Sequence, residues 1–161
     1  MKRRIIDTPV GQLELLCENG KLIAVRTAKT DCTMIYDADD PVLDETQRQL
    51  EAYFAGKRRE FDLPLQMDGS AFDRAVWQQL LAIPFGETRT YGEIAAEIGK
   101  PKASRAVGGA CSRNPLLIVV PCHRVVAGSG RLTGFAAGLE MKRSLLALEG
   151  WRIQNDLIKE E

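Results

Sequence analysis

Glycine and proline cut the second half of this 161-residue chain into short pieces, and that punctuation limits the folds open to it. Pro84-Phe85-Gly86, Gly99-Lys100-Pro101 and Asn114-Pro115 each interrupt a helical pattern. Proline removes a backbone donor, and glycine readily takes the conformation that closes a helix. Between these stops the spacing predicts three short helices. The first covers about 70–82, after Asp68-Gly69-Ser70, with Phe72, Val76, Leu80 and Leu81 on one face. The second runs 91–98 behind Thr90, whose Thr-x-x-Glu spacing to Glu93 is that of a capping box. The third starts at Lys102 or Ala103 and reaches about Ser112. Two short helices across a Gly/Pro turn form a helix-turn-helix candidate, a pattern shared with many helical hairpins that bind nothing.

The first half reads differently. Residues 11–18 alternate as a strand, Asn19-Gly20 is the favoured two-residue hairpin turn, and 21–27 returns. Residues 42–55 have helical spacing, with Asp40-Pro41 as cap and first-turn proline and Gly56 as terminator. Phe61 to Leu65 reads as an extended link. The expected fold class is α/β. A small N-terminal α/β domain on an antiparallel sheet occupies 1–66, and a mainly helical C-terminal domain occupies 67–161.

Composition is that of an ordinary globular protein, 45% hydrophobic and 27% charged. No apolar run approaches a membrane span, and Met1-Lys2-Arg3-Arg4-Ile5 lacks a signal-peptide core, so a cytoplasmic location is expected. Cysteines 17, 32, 111 and 122 show no Cys-x-x-Cys spacing; reduced thiols are favoured over a disulfide framework, and no metal site is expected. Net charge is zero, but its distribution is uneven. Lys100, Lys102, Arg105, Arg113, Arg124 and Arg131 lie in 98–139, where there is no acid. That is either a chance gap or a local footprint for phosphate, and its centring near Cys122 favours the footprint. The third helix, Ala103-Ser104-Arg105-Ala106-Val107-Gly108-Gly109-Ala110, is almost all small, either for close packing or to approach a partner backbone in a narrow minor groove.

After Asn114-Pro115 an apolar strand, 116–120, delivers Pro121-Cys122-His123. His123 is the sole histidine, beside one of only four thiols. An ordinary cysteine, with a pKa near about 8.5, needs a base to act as a nucleophile near neutral pH. Taken alone, a Cys-His pair more often marks a structural thiol. A glycine-rich loop, 127–138, follows as a flexible connector or a pocket wall with Phe135 as its aromatic face, and then a helix from Leu139 to about Glu149.

Asn114-Pro115, Val119-Val120-Pro121-Cys122-His123-Arg124-Val125, the preceding Arg105-Ala106-Val107-Gly108-Gly109-Ala110 and the following Leu145-Leu146-Ala147-Leu148-Glu149-Gly150 resemble the O6-alkylguanine-DNA alkyltransferases. The similarity extends from about Phe72 to Arg152; the N-terminal half fits in size and position without a comparable motif. The resemblance implies a ribonuclease-H-like N-terminal domain and a winged helix-turn-helix-like C-terminal domain. It implies stoichiometric repair: Cys122 takes the alkyl group permanently from O6-alkylguanine, with O4-methylthymine left open as a second substrate. His123 would take the thiol proton through a water, Glu149 would orient the imidazole, and Asn114 would support them. Arg105 would fill the space of the flipped base and Tyr91 would help turn the nucleotide. Cys111, Val125, Phe135 and the backbone around Ala136 would form the pocket, with Ser104 and Arg124 among the substrate and DNA contacts. No cofactor is implied. The partner is double-stranded DNA, bound by a monomer, with clustering on DNA left open.

Phe135, Ala136 and Ala137 stand where several members carry Tyr, Ser and Gly, which bears on tolerance for bulky adducts; the histidines that build a zinc site in some relatives are missing. The alternative from another class is a non-catalytic lesion sensor, which would lack the acceptor cysteine. A Cys-His hydrolase on an unrelated fold would instead show turnover.

Overall fold

In the computed structural model, residues 1–28, 39–135 and 137–159 are described; Cys32 and Ala136 lie outside them. Strands β1 (Lys2–Thr8), β2 (Gly11–Glu18) and β3 (Lys21–Thr27) form an antiparallel meander in that order. The β2–β3 turn is Asn19-Gly20, both at positive φ, as its residues require. Leu13 and Leu15 of β2 are fully buried, and helix α1 (Pro41–Phe54) packs on the sheet with Leu43, Leu50 and Tyr53 inward. Asp40 caps α1 by accepting from the Val42 and Leu43 amides. Glu14, between the leucines, is equally covered and lies between Arg3 of β1 (2.5 Å) and Arg26 of β3 (2.5 Å).

β1 went unread in the sequence. Its inward residues are Arg4 and Ile6, and the arginine hides the alternation. Arg4 is buried because Asp44 (2.9 Å) and Gln47 (3.2 Å) of α1 receive its guanidinium. The extended link 61–65 also has a partner: Leu22 N–H donates to the Pro64 carbonyl (2.7 Å) and Gln66 N–H to the Leu22 carbonyl (3.0 Å).

The predicted strand 116–120 is corrected. Only Leu116 pairs, in a parallel bridge to Val25 of β3; Val25 N–H donates to Pro115 O (2.9 Å) and Leu117 N–H to Val25 O (3.0 Å). Two successive tight turns follow. Val119 N–H returns to Leu117 O (2.8 Å) around Ile118, held at φ 71°, and Cys122 N–H returns to Val120 O (2.8 Å) around Pro121 at φ −82°, ψ 64°. Both are three-residue γ-turns, and the one at positive φ is the rare, strained form. A β-branched residue there costs on the order of 1–3 kcal/mol, sustained by the surrounding burial of Leu116 to Val120. Residues Pro115–Val119 accordingly belong with Met1–Asp68 in one compact unit, and Gly69–Asn114 with Val120–Glu161 form the other. The expected division into 1–66 and 67–161 had assigned 115–119 to the second.

The second unit contains α2 (Ala71–Leu81), β4 (Arg89–Thr90), α3 (Tyr91–Glu97), α4 (Ser104–Ser112), a 3-10 turn at Cys122–Arg124, β5 (Val125–Val126), α5 (Leu139–Leu148), β6 (Arg152–Gln154) and β7 (Leu157–Lys159). The Thr90–Glu93 capping box forms on both sides. Helices α2, α3 and α4 pack together, and Trp77 of α2 donates its indole N–H to the Ala110 carbonyl of α4 at 2.9 Å in the interior. Gly69 makes room for that indole: a Cβ there would meet ring atoms at 2.6 and 2.8 Å. The two glycines inside α4 differ. A Cβ on Gly109 would press on the Arg113 guanidinium at 3.2 Å, whereas one on Gly108 would meet Tyr91 at an ordinary 3.8 Å. β4 and β5 pair in parallel, and β6–β7 is a hairpin whose Asn155-Asp156 turn has both residues at positive φ. A second small core, Val126, Leu132 and Leu146 with Trp151, Ile153 and Ile158, holds the hairpin to α5.

Candidate active site

A 3-10 helix advances three residues per turn, so three consecutive side chains leave it in three directions. Cys122, His123 and Arg124 occupy such a turn, and all three are buried. Asn114, just beyond α4, donates its amide to the Val120 carbonyl (2.8 Å) and to Cys122 Sγ (3.2 Å). His123 Nε2 lies 2.6 Å from Glu149 Oε2. Glu149 closes the C-terminus of α5, which places its carboxylate at the 3-10 turn.

The ionisation states follow from these partners. Burial works to raise the Glu149 carboxyl, but the hydrogen bond from His123 and the guanidinium of Arg124 overrule it, bringing it to about 2. An ionised carboxylate only accepts, so Nε2 must carry the imidazole proton and Nδ1 keeps its lone pair. Nδ1 is buried and has no hydrogen-bond partner among the described residues. Burial also lowers the His123 pKa, against the pull of Glu149, which favours the neutral ring. Burial pushes the Cys122 thiol up to about 11, with the Asn114 amide and the Lys142 charge opposing. A thiol so placed is inert unless a base takes its proton.

Lys142 of α5 went unnoticed in the sequence. It is fully buried, donating to the carbonyls of Val125 (2.6 Å) and Thr133 (3.2 Å), with its ammonium 5.9 Å from the centre of the Tyr91 ring. The signal was present: Lys142, Leu145, Leu146 and Glu149 follow the three-and-four spacing of one helix face, and that face is the inner one. Tyr91, Cys111, Cys122 and Lys142 are near enough to alter one another's ionisation. Burial raises Tyr91, against the hydrogen bond that Thr133 donates to its hydroxyl at 3.2 Å. Cys111 is pushed by burial to about 12.

The structure thus brings together Asn114, Cys122, His123 and Glu149, and sets Tyr91, Cys111 and Val125 around them. Phe135 is half-buried in the 127–138 loop. Ser104 and Arg105 open α4 instead; Arg105 is exposed and has no hydrogen bond or ion pair to a described residue. Arg124 is a correction. It was expected among the DNA contacts, but its guanidinium is spent on Glu149 Oε1 (2.7 Å), Glu149 Oε2 (3.1 Å) and the Ile83 carbonyl (2.6 Å). Arg113 pairs with Asp73 of α2 at 2.7 Å. The exposed cations of the acid-free stretch are therefore Lys100, Lys102, Arg105 and Arg131, with Arg113 already partnered.

A buried thiol held by an amide, followed in the chain by an imidazole bound to a carboxylate, is the chemistry of a thiol-dependent transferase or hydrolase, and it shares its unit with helices α3 and α4 across a Gly/Pro turn. The family described as 6-O-methylguanine DNA methyltransferase matches in both its parts, the ribonuclease-like domain over residues 1–67 and the DNA binding domain over 71–151. The methylated-DNA–protein-cysteine methyltransferase of Methanosarcina barkeri is 58% identical over 149 residues, 90% of this chain and 94% of that protein. That of Methanosarcina acetivorans is 47% identical over 150 residues, 91% of this chain and 96% of its own. The crystal structure of Mycobacterium tuberculosis OGT in complex with DNA superposes with a TM-score of 0.84 at 45% identity, covering 92% of this chain and 93% of that one. This chain belongs to the 6-O-methylguanine DNA methyltransferase family.

Proposed function

We propose that this protein repairs double-stranded DNA by moving an alkyl group from guanine O6 to Cys122, once per molecule. The observation that carries the reading is a buried thiol, held by Asn114, next in the chain to an imidazole whose Nδ1 has no hydrogen-bond partner among the described residues while Glu149 occupies Nε2. His123 takes the thiol proton, through a water, as Sγ attacks the alkyl carbon. A sulfur–carbon bond forms, the carbon–O6 bond breaks, and its electron pair stays on the purine, which gains the proton at N1. The products are guanine and a thioether, which water does not hydrolyse, so one molecule serves once.

O6 lies inside the stack, and the target nucleotide must leave the duplex at a cost of a few kcal/mol. Arg105, exposed on a helix of small side chains, fills the vacated space, with Ser104 at the same helix start. Tyr91 and Phe135 receive the base, with Cys111 and Val125 lining the pocket. The protein works as a monomer, and its free Cys17, Cys111 and Cys122 suit the reducing cytoplasm.

Incubation with a duplex containing O6-methylguanine, followed by intact mass measurement and peptide mapping, tests the reading. One methyl per protein, on Cys122, is expected, and Cys122→Ala retains lesion binding without transfer. A main product on Cys17, Cys32 or Cys111, or no mass gain, overturns it.

A further inference from the structure

We infer that Arg124 is a positioning residue for this reaction, holding Glu149 in an ion pair of its own so that His123 stays a neutral base. The inference rests on the reading of Cys122 as the acceptor. Its basis is the geometry around one carboxylate. Oε1 receives Arg124 Nε at 2.7 Å and the Gly86 amide at 3.4 Å; Oε2 receives His123 Nε2 at 2.6 Å and an Arg124 terminal nitrogen at 3.1 Å. A carboxylate has about four lone-pair sites, and these donors engage both of its oxygens. The other terminal nitrogen of Arg124 donates to the Ile83 carbonyl at 2.6 Å, and the guanidinium lies 5.9 Å from the centre of the Phe85 ring. The fork is therefore fixed by the segment after α2, independently of the histidine.

Without Arg124, Glu149 would lose the guanidinium that covers both of its oxygens, and an imidazolium at His123 would gain the stabilisation in its place. A buried carboxylate lacking a cation binds a proton or protonates its neighbour. Either result spoils the relay: a protonated ring has no lone pair for the thiol proton, and a protonated Glu149 no longer dictates the tautomer. With Arg124 in place the carboxylate is already neutralised, and the ring need only donate one hydrogen bond. Among the described residues, Lys142 of α5 also acts on His123 and disfavours the imidazolium, and Cys122 precedes it in the chain.

His123 is the sole histidine, so nitrogen NMR of histidine-labelled protein reads this ring alone. In the wild type Nε2 should be protonated and Nδ1 bare through neutral pH, with protonation only below about 6.5, the ordinary imidazole value. Arg124→Met, of similar length and uncharged, should raise the imidazole midpoint by about one unit or more. The acid limb of the single-turnover methyl-transfer rate should move up by the same amount, and Arg124→Lys should bring both back toward wild type. An unchanged midpoint in a folded Arg124→Met protein overturns the inference. Should that variant not fold, the wild-type spectrum decides, because a ring protonated on both nitrogens at neutral pH overturns it equally. Methyl uptake by Cys122 is scored separately, so failure of the repair reaction is distinguishable from failure of the Arg124 role.

Discussion

Asn114→Ala removes the amide that donates to the Cys122 sulfur and to the Val120 carbonyl. The substitution removes the donor 3.2 Å from Cys122 Sγ while leaving the local backbone satisfied, since Val120 O keeps its 2.8 Å bond from the Cys122 amide. A hydrogen bond onto an ionised acceptor contributes about 1.5–3 kcal/mol. At about 1.36 kcal/mol per unit, that raises the thiol pKa by roughly one to two units above its already elevated value. Charge develops on sulfur as the proton leaves, so the methyl-transfer rate should fall about 10- to 100-fold. Asn114→Asp keeps the shape and sets a carboxylate beside the sulfur, and it should be slower than Asn114→Ala. Single-turnover quench experiments on methylated duplex supply the rates, with thermal melting as the control for folding. A rate within about twofold of wild type for Asn114→Ala, or an aspartate variant faster than the alanine one, refutes the role given to this amide.

Three further outcomes are expected. His123→Ala and Glu149→Ala should each slow transfer, and the double variant should be about as slow as the worse single one, because groups acting as a unit are not additive; rate losses that simply multiply would count against the relay. Arg105→Ala should slow repair of duplex far more than reaction with free O6-alkylguanine, be partly rescued by a mismatch opposite the lesion, and leave the salt dependence nearly unchanged; equal losses on duplex and free base would remove the finger role. Gly69→Ala should destabilise the protein by about 1–3 kcal/mol in denaturant titration followed by tryptophan fluorescence, since its Cβ would meet the Trp77 ring at 2.6 Å; unchanged stability would show that the indole shifts freely.

Local signals were legible wherever one short-range interaction decides the backbone. Asn19-Gly20, the Asp40-Pro41 cap and the Thr90–Glu93 box each appear residue for residue, because their geometry is set within four residues. What depended on distant partners was hidden. Arg4 broke the alternation of β1 because its partners are on α1. The apolar run 116–120 became two γ-turns because only its first residues find the edge of β3. The Asn155-Asp156 hairpin carried a readable turn and was overlooked. In the site, Cys122, His123, Glu149 and Asn114 were legible through a resemblance and are gathered by the fold. Arg124 and Lys142 were misread or missed for the opposite reason: a charged side chain is assigned to solvent by default, and only tertiary structure shows a carboxylate or carbonyls waiting for it.

In the proposed reaction Cys122, pushed up to about 11 by burial, becomes nucleophilic through internal proton transfer to His123. The pH dependence of the single-turnover methyl-transfer rate tests it most directly. With an internal base, the reactive thiolate–imidazolium pair forms at a constant fraction between the two pKa values, so the rate should be flat from near neutrality to about pH 10 and fall only as His123 protonates, below about 6.5. A rate that climbs about tenfold per pH unit across that range would mean that the thiol ionises to solvent unaided, and would contradict the account.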